Sequence, residues 1–341
     1  MTAPLFCRAS GFGSLFAMVE AEQGAEALQL LQRQSGFTAE TYAPSALTPF
    51  AVMNRVFNLA AKMTGDRQFG SRVGQNISLE NFGPFVEYAL HGETLGQLIV
   101  RSIIAQPLHS NELVMDLRVV GGHARWRICY RAKAEPTVEQ HAQRSLMQML
   151  SAVGLYAGSR RDQIAIHVAE PYAAEARLLQ SRLDIAVRPR MGDYEIAFPQ
   201  SWLGNWTPLA SLPADLSIES LAPYRERPLP RKMAEAVLIA LKLHEDLPKG
   251  GIGAIAADIG LPSRTLQHAM RSEGVSYREI VQGLCLRRAK SLLASTEAPL
   301  REVALRAGYT DPSNFHRAFL RLTGTTPGRF RAASQPDAPV G

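Results

Sequence analysis

The sequence predicts a mixed α/β (α+β) N-terminal domain followed by an all-α C-terminal domain with two helix-turn-helix units. Three observations predict this. The length of 341 residues suits two domains of about 150 residues each. Hydrophobic residues alternate with period two only before a proline-rich stretch at 207–230, and they recur at helical spacing after it. The net charge is 0 over residues 1–230 and +6 over 231–341, so the C-terminal part favours a polyanion partner.

The composition excludes several classes of protein. The hydrophobic fraction of 46% and charged fraction of 20% are those of an ordinary globular chain, so global disorder is excluded. No apolar run reaches the roughly 18 residues that a membrane span needs, and residues 1–10 do not resemble a secretory signal. The three cysteines are distant in sequence, which argues against a disulfide framework and against a zinc site. We expect a cytoplasmic protein with no cofactor, no metal and no membrane partner.

Residues 10–110 have mostly helical patterns, and a β-hairpin is expected around Gly121–Gly122, where alternating runs flank two glycines. A helix is predicted through Leu146 and Val153 from their apolar spacing. The remaining predicted elements are a buried strand at 164–168, a helix with Ala174, Leu178 and Leu183 on its apolar face, and short strands at 185–187 and 194–198.

The domain boundaries follow from proline. Residues 207–230 contain five of the 21 prolines, which fix φ and lack an amide donor, so this stretch predicts a stiff, extended linker. Two domains are therefore expected, at 1–206 and at 231–333. Residues 334–341 are polar and proline-broken, and a disordered tail is expected there.

The C-terminal part contains an internal repeat with an offset of about 48 residues. Ala256 and Gly260 are matched by Ala304 and Gly308, and Leu266 is matched by Phe315. In each copy a small residue allows two helices to cross closely, and a glycine ends the first helix in the left-handed conformation. The pattern is that of a helix-turn-helix. A plain helical bundle is the alternative, but two copies in register in the basic part of the chain favour DNA binding.

The second copy of the repeat carries the most diagnostic pattern, which consists of Gly308-Tyr309, Asp311, Ser313–Phe315, Arg317, Phe319, Gly324 and Thr326-Pro327. With this pattern, residues 252–331 resemble the DNA-binding domain of AraC/XylS-type transcription regulators. The first motif departs from the family pattern at Pro262, His268, Met270, Tyr277 and Cys285. Residues 13–208 also resemble, by overall pattern, the arabinose-binding-like N-terminal domain of one branch of that family.

The resemblance places two recognition helices at 262–270 and 311–320. Their outward-facing side chains are candidates for base contacts, because Arg can bind guanine and Asn or Gln can bind adenine bidentately. These candidates are Arg264, Thr265, Gln267, His268, Ser313, Asn314, His316 and Arg317. Further basic or polar residues are candidates for phosphate contacts, namely Arg271, Arg287, Arg321, Thr326 and Arg331. For each residue the alternative is a solvated helix face.

The function expected for the N-terminal domain stays open among three hypotheses. Arg118, Arg125 and Arg127 share one face of the predicted hairpin, where they form either an anionic effector site or an ordinary solvated sheet face. The domain either senses a small molecule or only dimerises. Catalysis, for which Cys129 is the residue to test, is the least favoured hypothesis because no catalytic motif is present. The resemblance implies a dimeric activator that binds promoter DNA and acts on RNA polymerase.

Overall fold

The computed structural model describes residues 3–37, 43–76, 84–131, 138–158, 160–169, 173–190, 193–206, 221–244, 247 and 250–334. Contacts divide the chain into one unit at 4–230 and another formed mainly by 231–341. The predicted mixed α/β class of the first unit and the all-helical class of the second are both confirmed. The predicted tail at 334–341 lies outside the described residues except for Ser334.

The first unit begins with helices, as the sequence predicts for residues 10–110. These are α1 (Leu15–Gln23), α2 (Ala25–Ser35), α3 (Phe50–Thr64), α4 (Phe69–Gln75), α5 (Pro84–Leu90) and α6 (Leu95–His109). Two short antiparallel strands, β1 (Phe6–Arg8) and β2 (Leu47–Pro49), were not expected. They bring the start of the chain against α3, where Phe6 and Phe57 are fully buried.

A five-stranded sheet follows. Its strands are β3 (Leu113–Val120), β4 (His123–Tyr130), β5 (Ala165–Ala169), β6 (Ala186–Arg190) and β7 (Tyr194–Pro199), in the order β3-β4-β7-β5-β6. The predicted hairpin is confirmed, because β3 and β4 pair antiparallel across Gly121 and Gly122, which have φ of 58° and 76°. Trp126 and Ile128 lie on the face that packs against helix α7 (Glu139–Ala157), and both are buried.

Helix α8 (Ala173–Leu183) joins β5 to β6 and corrects one prediction. Leu178 was expected on the buried face, but its side chain is 43% exposed. The buried positions are instead Ala176 and Leu179, with Leu183 packed partly against the same core. The prediction therefore holds for Leu183 but not for Leu178, because Leu183 shares one helical face with Ala176 and Leu179 and Leu178 lies on another.

Part of the proline-rich stretch also differs from the extended linker expected there. Residues 207–220 lie outside the described part of the chain, but 222–226 form the short helix α9 (Ala222–Glu226). Its Tyr224 is fully buried, and its main-chain carbonyl accepts a hydrogen bond of 3.0 Å from the Arg8 guanidinium. The segment 221–230 therefore packs within the first unit.

The second unit consists of helices α10 (Met233–Lys242), α11 (Gly251–Ile259), α12 (Ser263–Ser272), α13 (Tyr277–Ser295), α14 (Leu300–Arg306), α15 (Pro312–Thr323) and α16 (Pro327–Ser334). Ala256 and Ala304 are buried where the paired helices cross, as predicted. The left-handed glycines are confirmed as well, with φ of 79° at Gly260 and 99° at Gly308.

Candidate nucleic-acid interface

The first helix-turn-helix unit consists of α11 and α12. Gly260 ends α11, and α12 begins at Ser263 with Pro262 as its N-cap, where no side chain accepts a hydrogen bond. Leu266 and Met270 are buried and anchor α12 within the unit. Because apolar residues on one side fix the helix, the polar residues of α12 are turned toward solvent.

The second helix-turn-helix unit consists of α14 and α15, and the start of α15 is more strongly defined than the start of α12. Asp311 is the N-cap of α15, and its carboxylate accepts hydrogen bonds from the main-chain N–H groups of Ser313 and Asn314 at 3.1 and 3.0 Å. Pro312 occupies the first helical turn, where its missing N–H costs nothing. Phe315 and Phe319 are buried with their rings 5.6 Å apart.

The eight base-contact candidates lie on these two helices, and all except Gln267, which is half-buried, are exposed. They are Arg264, Thr265, Gln267 and His268 on α12, and Ser313, Asn314, His316 and Arg317 on α15. Arg317 Nη2 donates a 2.6 Å hydrogen bond to Asn314 Oδ1, so these two side chains form one polar group near the start of α15. Recognition helices read bases mainly with their N-terminal residues, and this group lies there.

Helix α13 connects the two units and has a capping box at its start. Ser276 Oγ accepts from Glu279 N at 3.2 Å, and Glu279 Oε2 accepts from Ser276 N at 2.7 Å. Each helix-turn-helix unit is further supported by one of the outer helices of the domain, α10 or α16. Glu273 receives the main-chain N–H groups of Met233 and Ala234 at the start of α10, and Phe330 of α16 packs on Phe319 with ring centroids 5.5 Å apart.

The phosphate-contact candidates divide into two groups. Arg271, Arg287 and Arg321 are exposed. Thr326 and Arg331 instead have contacts within the unit: Thr326 Oγ1 accepts from Arg329 N at 3.3 Å, and Arg331 Nη2 donates to the Ala298 carbonyl oxygen. These two residues hold α16 in place, so the exposed arginines are the better phosphate candidates.

One exposed cation was missed by the sequence reading. Arg301 at the start of α14 lines the same surface depression as Ser313 and His316 of α15. The helical pattern of α14 predicts that Arg301 is exposed, but only the tertiary fold brings it beside the recognition helix.

The arginines proposed for the effector lie on one face of the sheet, as predicted. Arg127 Nε donates to Asp116 Oδ1 at 2.8 Å, and Arg125 Nη1 lies 2.9 Å from Glu195 Oε1. Hydrogen bonding from Arg127 holds the pKa of Asp116 below its ordinary value. Arg118, 62% exposed, lies 3.4 Å from Asp116. This pairing favours the alternative of a charged sheet face, and an effector role for these arginines stays a prediction.

The geometry defines a two-unit DNA-binding transcription regulator, and comparisons with known proteins identify its family. A helix-turn-helix domain model matches residues 255–333. A model for the N-terminal arabinose-binding domain of AraC transcription regulators matches residues 24–205. The chain belongs to the AraC family of transcription regulators.

Several relatives are regulators by name. The chain is 24% identical over 339 residues to the ornithine utilization regulator of Pseudomonas aeruginosa, covering 89% of this chain and 91% of that protein. It is 31% identical over 85 residues to the arabinose operon regulatory protein of Escherichia coli, covering 25% of this chain and 29% of that protein. Among solved structures, the transcriptional regulator CdpR of Pseudomonas aeruginosa matches 89% of this chain and 96% of its own at 18% identity and a TM-score of 0.41.

No helix in the described residues is long and apolar enough to cross a membrane. Within the same residues, no group of three or more His, Cys, Asp and Glu side chains is arranged to hold a metal ion.

Proposed function

We propose that this chain activates transcription by binding a specific promoter sequence through α12 and α15, together with RNA polymerase. The observation that carries the proposal is the pair of helix-turn-helix units whose second helices expose polar side chains in the basic part of the chain. Because the single helix α13 joins the two helix-turn-helix units, the two recognition helices enter successive major grooves about 34 Å apart. A single protomer then reads a long, asymmetric site.

We further propose that the N-terminal unit binds a small molecule and mediates dimerisation. A cavity of about 310 Å³ inside this unit supports ligand binding. A ligand-independent dimeric regulator is the second candidate, and it is favoured if no compound changes the melting temperature of the full chain. Catalysis by Cys129 has less support, because partial burial and the neighbouring Asp193 raise the pKa of its thiol, whereas a reactive thiol needs a low pKa.

The DNA-binding proposal is tested with the full chain and a pool of genomic fragments. The wild-type protein is expected to enrich a common sequence at moderate salt, and binding no better than to random DNA would refute the proposal. Genome-wide occupancy then identifies the neighbouring genes. Genes of amino-acid metabolism are the first to inspect, since one relative is named for ornithine utilization.

A matched pair of variants on α15 tests the assignment of roles. Arg317→Ala is expected to reduce the preference for the enriched sequence by about 1–3 kcal/mol, because it removes a base-reading side chain. Arg321→Ala, one turn further along the same exposed surface, is expected to weaken binding to all sequences alike and to reduce the salt dependence. Equal effects of both variants in competition binding would contradict this division.

A further inference from the structure

The N-terminal unit contains a cavity that no sequence motif indicates. It lies between α5, α6, α7 and the inner face of β3 and β4, and its volume is about 310 Å³. Ligand-binding cavities begin at about this size. At about 30 Å³ for each water-sized group, it holds a molecule of roughly ten non-hydrogen atoms.

Most of the cavity wall is apolar. Leu98 and Leu113 are buried there with Trp126 and Met149, and Leu155 is half-buried beside them. Apolar walls contribute affinity by removing the apolar body of a ligand from water, at roughly 25 cal/mol per Å². A ligand without an apolar body therefore gains little in this cavity.

The polar wall of the cavity is formed by His109, Glu112, His141 and Arg144, all of which are buried. Burial lowers the pKa of His109 to about 3 and the pKa of His141 well below its ordinary value, so both imidazoles are neutral at pH 7. Burial raises the pKa of Glu112 to about 7. The pKa of Arg144 is lowered only to about 10, so its guanidinium carries the full positive charge at this wall.

The indole N–H of Trp126 and Oε2 of Glu112 are buried on the cavity wall and have no hydrogen-bond partner among the described residues. Buried polar atoms are rarely left unpaired in native proteins, so each calls for a partner. An oxyanion is the kind of acceptor that suits the indole N–H of Trp126 and the guanidinium of Arg144, and it suits Glu112 only when that carboxyl is protonated.

Arg8 and Arg144 are both buried in this unit, but of the two only Arg144 lines the cavity. The Arg8 guanidinium donates to the main-chain carbonyls of Ser45, Leu108 and Tyr224 at 2.8–3.3 Å. These bonds tie separate segments together. Arg144 lies on the cavity wall, with Nη1 3.5 Å from Ser145 Oγ, where a ligand can reach it.

The geometry points to this cavity as the binding site for a small monocarboxylate with an apolar body of about seven carbon atoms. Arg144 and the Trp126 indole bind the carboxylate, and the apolar wall encloses the chain or ring. This inference rests on the proposal that the N-terminal unit senses a small molecule. It also moves the effector site from the arginines on the outer sheet face to the opposite face of the same hairpin.

The test uses the full chain and four probes that separate charge from apolar body. Octanoate has both features, octanol lacks the charge, octylamine reverses it, and acetate lacks the apolar body. Calorimetry is expected to show octanoate binding at least tenfold more tightly than each of the other three. Tighter binding of octylamine, or of ornithine, would overturn the assigned ligand class.

Three variants test whether octanoate binds in this cavity. Arg144→Gln is expected to weaken octanoate at least tenfold, to the level of octanol, and Ala152→Leu, which fills the cavity, is expected to abolish binding. Arg127→Gln on the outer face of the sheet is expected to leave the octanoate Kd within twofold. Loss of binding in Arg127→Gln would overturn the location. If Arg144→Gln does not fold, the comparison of octanoate with octanol on the wild-type chain still decides the role of charge.

Failure of this inference differs from failure of the proposed sensing function. If another chemical class raises the melting temperature of the wild-type chain but not of Ala152→Leu, the ligand class is wrong and the sensing proposal stands. If no compound in a metabolite screen does so, and Ala152→Leu regulates its promoter as the wild type does, both proposals fail.

Discussion

The base-contact candidates of the C-terminal unit and the polar cavity residues of the N-terminal unit lie in opposite environments. In the C-terminal unit seven of the eight base-contact candidates are exposed, and the fold is held by separate buried residues such as Phe315 and Phe319. In the N-terminal unit the polar wall of the cavity is inside the core, where Glu112 and Arg144 are 1% and 4% exposed.

This difference determines how function and stability are coupled. In the C-terminal unit a contact residue can change without altering the buried layer, so DNA specificity can vary while the scaffold stays intact. In the N-terminal unit each polar group on the wall of the proposed ligand cavity also carries a desolvation cost in the folded state. A change of ligand preference there is therefore expected to change stability as well.

The largest expected effect tests whether the buried residues that hold the C-terminal unit are separate from its exposed DNA-contact candidates. Phe319→Ala is expected to destabilise this unit by about 3–5 kcal/mol, because it leaves a cavity between α13, α15 and α16. The adjacent Leu320→Ala is the matched control, since Leu320 is 42% exposed, and its free energy of unfolding is expected to stay within about 0.5 kcal/mol of wild type. Urea unfolding of the full chain measures both, and comparable losses would contradict a separate scaffold.

The next prediction concerns the close crossing of α4 and α7, which forms part of the cavity wall. A Cβ at Gly70 would lie 2.0 Å from the main-chain oxygen of Gln140, so the helices must separate. Gly70→Ala is expected to destabilise the N-terminal unit by about 3 kcal/mol. Gly154→Ala in α7, whose nearest neighbour is 3.6 Å away, is expected to leave stability unchanged or raise it by up to about 1 kcal/mol. Thermal unfolding distinguishes the two outcomes.

The third prediction uses pH to test whether ionisation of the buried Glu112 lowers the stability of the N-terminal unit. Burial raises the pKa of Glu112 from 4.5 to about 7, so the folded state binds more protons between these values. The free energy of unfolding therefore falls as the pH rises through this window. Glu112→Gln removes the ionisable group, and its stability relative to wild type is expected to rise from near zero at pH 4.5 to about 3 kcal/mol at pH 8.

Urea unfolding at both pH values measures this difference. The lowered pKa values of His109 and His141 destabilise the folded state in acid, but both histidines are present in the two proteins, so their effect cancels in the comparison. Glu20→Gln, at an exposed carboxyl, is the control and is expected to stay within about 0.5 kcal/mol of wild type at both pH values. A pH-independent gain in Glu112→Gln would show that ionisation of Glu112 is not the cause.

The same contrast explains which features the sequence could predict. Gly260, Gly308 and the buried alanines follow from local helix geometry, so the double helix-turn-helix could be predicted element by element. The hairpin at Gly121–Gly122 was predictable for the same reason, because its turn and its alternation are local.

The cavity could not be predicted in this way, because Trp126 and Arg144 reach it from different elements. The pairing of Arg125 with Glu195 is equally non-local, since 70 residues separate them and only the β4–β7 register brings them together. Helix α8 could be predicted only in part. The sequence predicts the helix, but the packing of β5 and β6 selects which side of it is buried.

The smallest expected effect tests whether the boundary between scaffold and contact residues is sharp in α15. Asp311 accepts two main-chain N–H groups at the start of this helix, so Asp311→Ala is expected to cost about 1 kcal/mol of stability in thermal unfolding. Ser313→Ala changes an exposed neighbour, and it is expected to leave stability within about 0.5 kcal/mol while lowering affinity for the enriched DNA sequence. Because the cap also fixes where α15 starts, Asp311→Ala is expected to reduce DNA affinity through fraying of the first turn, and a stabilising salt such as sulfate is expected to recover part of its lost melting temperature. Loss of stability in Ser313→Ala equal to that in Asp311→Ala would mean that the DNA-contact residues and the residues that hold the fold overlap in this helix.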